Sequence, residues 1–113
     1  MVQYRMKSTD PIDEAEMLRQ VRTGLFGTGE VFCREIDAGD KKVYIFCSDD
    51  YSFRISSTLS ILLVLESGAD GWFADAVVSG GKQGLFGIGY GAERSRVNML
   101  TEFLIGFGFT FTD

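Results

Sequence analysis

A chain of 113 residues with one proline, 45% hydrophobic and 24% charged, has the composition of a single ordered domain, able to bury about two-thirds of its unfolded surface without staples. Its formal net charge of -5 argues against nucleic acid as a partner, because that affinity rests on Lys and Arg displacing counterions from a phosphate backbone. The absence of histidine removes the one side chain that titrates near neutral pH without special tuning, which weighs against acid–base catalysis.

Val2, Tyr4 and Met6 alternate with Gln3, Arg5 and Lys7, the period of two that marks a half-buried strand. Asp10 and Pro11 then read as the N-cap and first residue of a helix over residues 11 to 22. Its acidic Asp13, Glu14 and Glu16 lie near the positive end of the dipole, and Arg19 and Arg22 near the negative end. Ala15, Leu18, Val21 and Leu25 share its apolar face, and Gly24 is placed to take the left-handed conformation that ends a helix.

From Glu30 the pattern turns to strands. Val31 to Ala38 and Lys42 to Asp49 flank the turn-rich Ala38-Gly39-Asp40-Lys41 and predict a hairpin. A long strand follows from Phe53 to Glu66, with Phe53, Ile55, Leu59, Ile61, Leu63 and Leu65 on one side and Arg54, Ser56, Thr58 and Ser60 on the other. Ser67 to Gly71 turns the chain into a strand from Trp72 to Ser79. A glycine-rich loop leads to a second helix over Ala92 to Ile105, which buries Val97, Leu100, Phe103 and Leu104 and stops at Gly106. The tail, residues 107 to 112, alternates like a short strand and fits either an edge strand or a strap.

The order β-α-β-β-β-β-α predicts an α+β fold, a single domain over residues 1–113 in which an antiparallel sheet carries both helices on one face. This order resembles a single repeat of the TATA-binding-protein-like topology. That similarity implies a two-layer sandwich and no DNA binding, which the acidic balance opposes. The string Gly80-Gly81-Lys82-Gln83-Gly84, followed by Tyr90-Gly91-Ala92-Glu93, resembles a small bacterial family of uncharacterised domains in which a Gly-Gly-x-Gln-Gly turn and a Gly-Ala-Glu helix start recur. The resemblance implies a bacterial cytoplasmic protein and transfers no site or activity.

No run reaches the roughly 18 apolar residues of a membrane span; the longest uncharged stretch, Ile55 to Leu65, carries three serines and a threonine. Met1 to Lys7 lacks the apolar core and cleavage site of a secretory signal, so cytoplasmic residence is expected. Two cysteines without histidine are too few for a zinc site. A three-residue loop at Gly39 to Lys41 would set Cys33 and Cys47 opposite one another, but cytoplasmic thiols stay reduced, so both are expected to serve as small apolar residues.

Six of the 14 glycines fall within residues 80–91. Gly87-Ile88-Gly89-Tyr90-Gly91-Ala92 opens a helix as phosphate-binding strings do, and Gly80, Gly81, Lys82 and Gln83 form a candidate anion site before it. The context departs from a dinucleotide fold: no strand and acidic ribose ligand follow. The commoner role of such a string is a long turn or bulged strand. Gly-Leu-Phe-Gly occurs at residues 24 to 27 and 84 to 87 with unlike flanks, which makes coincidence a better account than duplication.

No catalytic residue, metal ligand or cofactor site emerges. Asp49 and Asp50 have turn composition, and Asp75, between Ala74 and Ala76, is suited to pairing with an arginine. The sheet face away from the helices is more informative. With Val31, Cys33, Val43, Ile45 and Cys47 turned inward, Phe32, Arg34, Ile36, Tyr44, Phe46 and Arg54 turn outward, a surface too apolar for open water. Its two expected uses are a symmetric homodimer, or a small ligand whose anionic group meets Arg34 and Arg54 while Tyr44 and Phe46 hold its apolar body. The expected function is a non-enzymatic binding or self-association module, with anion or nucleotide binding at the glycine loop as the alternative.

Overall fold

The computed structural model describes residues 1–26, 31–52, 57–80 and 88–112. Six strands form one antiparallel sheet: β1 (Val2–Ser8), β2 (Val31–Asp37), β3 (Lys42–Ser52), β4 (Ser57–Gly68), β5 (Gly71–Gly80) and β6 (Thr110–Phe111), ordered β2-β3-β4-β5-β1-β6. Two helices, α1 (Glu14–Gln20) and α2 (Ile88–Gly106), complete the α+β fold. Strands β2 to β5 are sequential neighbours. Strand β1 pairs with β5 from the other side, so the segment that carries α1 crosses the sheet to reach β2 at the far edge. Gly68 and Gly71 face each other across a two-residue connection. Gly71 has φ +115°, and a Cβ there would stand 2.3 Å from the Ser8 carbonyl oxygen, so only glycine lets β5 leave the turn beside β1.

Helix α1 starts three residues later than its composition suggests. Asp10 is held by its own backbone, whose N–H donates to Ser8 Oγ at 3.2 Å. Asp13 is the cap instead: its carboxylate accepts from the Glu16 N–H at 3.2 Å, the Asp-x-x-Glu spacing of a capping box. The Arg19 guanidinium, 2.5 Å from Glu16, holds that exposed carboxyl down to about 2. The pair's support is thus present above the ordinary carboxylate range and fades as pH falls toward 2. The helix also runs past Arg22: Val21–Leu25 form one π-helical turn that takes in Gly24. Its buried line is Met17, Val21 and Leu25, at i, i+4 and i+8, whereas Ala15 is exposed; methionine has more apolar area to bury than alanine.

Helix α2 begins at Ile88 and buries Val97, Leu100 and Leu104, with Phe103 half-buried. It ends in a Schellman arrangement: Gly108, at φ +91°, donates to Ile105 O at 3.0 Å and Phe109 N donates to Leu104 O at 3.1 Å. Gly106 is therefore the last helical residue and Gly108 the left-handed one. Phe109 is buried, and the tail continues into β6, where Thr112 N donates to Arg5 O at 3.0 Å. The tail is an edge strand.

One core lies between the sheet and the helices. Ile61, Leu63 and Leu65 of β4 and Ala74, Ala76 and Val78 of β5 are all fully buried beneath them. The two alanines leave room for α2, which crosses β5 and β1. Strand β3 presents Tyr44 and Phe46 to this core, contrary to the outward orientation expected of them. The Phe46 ring stacks on Phe26 with centroids 6.0 Å apart, the Tyr44 ring on Trp72 at 6.3 Å, and the Tyr44 hydroxyl donates to Glu14 Oε1.

The inversion comes from one residue in a turn. Asp37 pairs with Lys42 across a four-residue connection, closed by Ala38 N donating to Lys41 O at 2.9 Å and Gly39 N donating to Asp37 Oδ1 at 2.9 Å, with Gly39 at φ +88°. A three-residue loop would pair Ala38 with Lys42. Because side chains alternate, that single-residue difference in register turns every β3 side chain to the other face. Cys47 therefore lies opposite Phe32 and Cys33 opposite Phe46, which puts the two thiols on opposite faces of the sheet. Phe46→Ala is expected to cost about 3–5 kcal/mol as a core cavity, against about 0.5–1.5 kcal/mol for Tyr44→Phe, which loses one hydrogen bond; urea denaturation of both variants measures the difference.

Candidate functional site

The sheet face away from the helices is built in rows by the strand pairings. One row runs Phe32–Cys47–Leu62–Val77, the next Arg34–Ile45–Val64–Asp75–Arg5, and a third Ile36–Val43–Glu66–Phe73–Lys7. An antiparallel sheet with one wet side ordinarily turns polar residues outward there. Here the middle of the face is aliphatic. Val43, Ile45, Cys47, Leu62, Val64 and Val77 are each half-buried by their neighbours on the sheet, and Phe32 and Ile36 are 54% and 44% exposed.

Charge is confined to the margins. Arg5 Nη1 meets Asp75 Oδ2 at 2.7 Å, and its guanidinium lies 4.7 Å from the Phe73 ring centre. At the opposite margin the Arg34 guanidinium lies 5.7 Å from the Phe32 ring, and no ion pair to it is found among the described residues. At the far end of the β3–β4 pair, Ser60 Oγ donates to Asp49 Oδ1 at 3.0 Å. Two clefts border the ends of the strands. One, of about 590 Å³, is lined by Val31, Phe32, Cys33, Cys47, Ser48 and Asp49. The other, of about 270 Å³, lies against the two turns, with Asp40, Lys41, Glu66 and Asp70 around it. Arg22 Nη2 approaches Cys33 Sγ at 3.5 Å on the helix side.

Of the residues expected on the open face, the structure places Phe32, Arg34 and Ile36 there and moves Tyr44 and Phe46 into the core. Arg54 lies outside the described residues. Leu62, Val64, Phe73 and Val77 belong to the face and are absent from the sequence reading of it. Their signal was available: extending the alternation of Thr58 and Ser60 by two more steps reaches Leu62 and Val64. Asp75 pairs with an arginine, Arg5, as its position suggests.

The anion site proposed from the glycines divides differently. Gly81, Lys82 and Gln83 lie outside the described residues. Gly80 closes β5 at φ +98°, and a Cβ there would approach Thr58 O at 2.9 Å, so close passage of β4 accounts for this glycine. Among the described residues no group of three His, Cys, Asp or Glu side chains is placed to hold a metal ion, and no helix is long and apolar enough to cross a membrane. Comparison of the chain with known protein families, curated proteins and solved structures finds no match.

Neighbouring residues of β4 test the assignment of faces. Ile61→Asp buries an unpaired carboxylate and is expected to cost more than about 4 kcal/mol. Leu62→Asp, one position along on the open face, is expected to leave the monomer folded with a loss of about 1 kcal/mol. Thermal melts followed by circular dichroism compare them directly.

Proposed function

We propose that this protein is a non-enzymatic interaction module that works through the open face of its sheet. The observation that carries the reading is the aliphatic centre of that face, where Ile45, Leu62 and Val64 stand in the middle of the sheet with charged groups only around them. Nine of the twelve positions that four strands and three rows define are apolar, and at about 4.8 Å between strands and 6.8 Å between rows they cover roughly 300 Å². Apolar patches of this size on a folded domain are often functional. Its shape supports binding over catalysis: the rows offer area and edge charges, and among the described residues the two clefts meet the face at Phe32 and Cys47 and at Glu66 and Phe73.

Native mass spectrometry of gently purified protein checks the reading. Wild-type protein is expected to carry added mass, either another chain or a small apolar or anionic molecule, and Val64→Glu to lose it while keeping its circular dichroism spectrum. Lys82→Ala, at the alternative site, is expected to change nothing. A bare wild-type monomer at every concentration would sink the proposal.

A further inference from the structure

We propose that the occupant of the open face is a second copy of this chain, packed sheet on sheet about a two-fold axis that runs along the strands between β3 and β4. The inference rests on the open face being the working surface. A rotation of 180° about that axis exchanges β2 with β5 and β3 with β4 and keeps each row at its own height. The row Arg34–Ile45–Val64–Asp75 then meets itself reversed: Arg34 lies over the partner's Asp75, Ile45 over the partner's Val64, and the same contacts recur on the other side of the axis. The neighbouring row sets Phe32 over the partner's Val77 and Cys47 over the partner's Leu62. Opposite charges thus close both ends of the middle row, and the third row sets Ile36 over the partner's Phe73 and Val43 over the partner's Glu66.

The groups at those ends are suited to it. Arg34 has no ion-pair partner among the described residues, and Asp75 engages Arg5 through Oδ2, with Oδ1 unused by that pair. A carboxylate accepts from two guanidinium groups at once. The four strands that overlap about this axis, β2 to β5, about 4.8 Å apart and with some eight residues of about 3.3 Å each, present roughly 500 Å², the size of a weak, reversible interface. The molecule's extents of 45 × 31 × 23 Å leave room for this on its broad side. A small molecule would need enclosure, whereas the two clefts reach the face at Phe32 and Cys47 and at Glu66 and Phe73, and neither is lined by Ile45, Leu62 or Val64. Two sheets stack readily, about 10 Å apart with aliphatic side chains interdigitating.

The two thiols report the arrangement without any mutation. Cys47 lies in the seam and Cys33 on the opposite face, both free in the monomer. Wild-type protein is titrated from below 1 µM to about 100 µM, pulsed with N-ethylmaleimide and read by peptide mass spectrometry, alongside sedimentation. Mass is expected to rise to twice 12.5 kDa as Cys47 labelling falls at least ten-fold and Cys33 labelling holds constant. Arg34→Asp and Asp75→Arg are each expected to weaken the dimer at least ten-fold when alone. Mixed together they form a heterodimer in which one pair is native and the other reversed, restoring assembly to within about three-fold of wild type. A dimer with reactive Cys47, or variants that fail to rescue each other, would overturn this arrangement. A monomer whose Cys47 is shielded by a bound small molecule would overturn it too but leave the open face as the working surface, whereas a bare monomer with both thiols reactive would overturn both.

Discussion

Everything on both faces of this sheet depends on the register between β2 and β3. That register is set by a four-residue connection, held by the Asp37 carboxylate and by Gly39 in a left-handed conformation. The pairings of β3 with β4 and of β4 with β5 propagate it across the sheet. Slipping one position would drive Val43, Ile45 and Cys47 toward the helices and push the Tyr44 and Phe46 rings into water. Two stacked aromatic contacts and the Tyr44–Glu14 hydrogen bond oppose that slip. Turn geometry and core packing therefore select the same register, the local and global agreement that makes a fold unique.

The elements whose patterns are long and regular could be read directly. Strand β1, the inward side of β4 from Leu59 to Leu65 and the buried face of α2 each repeat one period over enough residues to show which side is apolar. Where two local signals competed, the sequence alone did not decide. Asp10-Pro11 and Asp13-x-x-Glu16 both resemble helix starts, and the choice depends on Ser8 taking the Asp10 N–H, which requires the strand before it. Gly106 and Gly108 both suit a helix end. Burial of Phe109 selects Gly108, since the residue after the left-handed glycine is the one that packs back.

Strand β3 was opaque for a different reason. Lys42 to Cys47 has apolar residues at every position after the lysines, Val43, Tyr44, Ile45, Phe46 and Cys47, so no alternation tells inside from outside. Only the length of the preceding turn carries that information, and one residue in a turn is beneath what composition resolves. A strand apolar on both sides belongs where both sides are covered, yet the helices cover only one.

Strand β2 sharpens that point. It is an edge strand with nearly every residue exposed on either side, so in one chain it is held mainly by its ladder to β3. On the helix side Glu35 and Asp37 are exposed and Cys33 meets the Arg22 side chain, and Phe32 and Ile36 project from the other. An edge this exposed is a standing invitation to pair or pack. In the proposed dimer, packing across the open face would set β2 over β5 of another copy, so the least anchored strand would gain a neighbour that is held between β4 and β1. Assembly and the order of β2 are then linked through the same contacts: whatever stabilises the strand strengthens the interface, and covering the interface stabilises the strand.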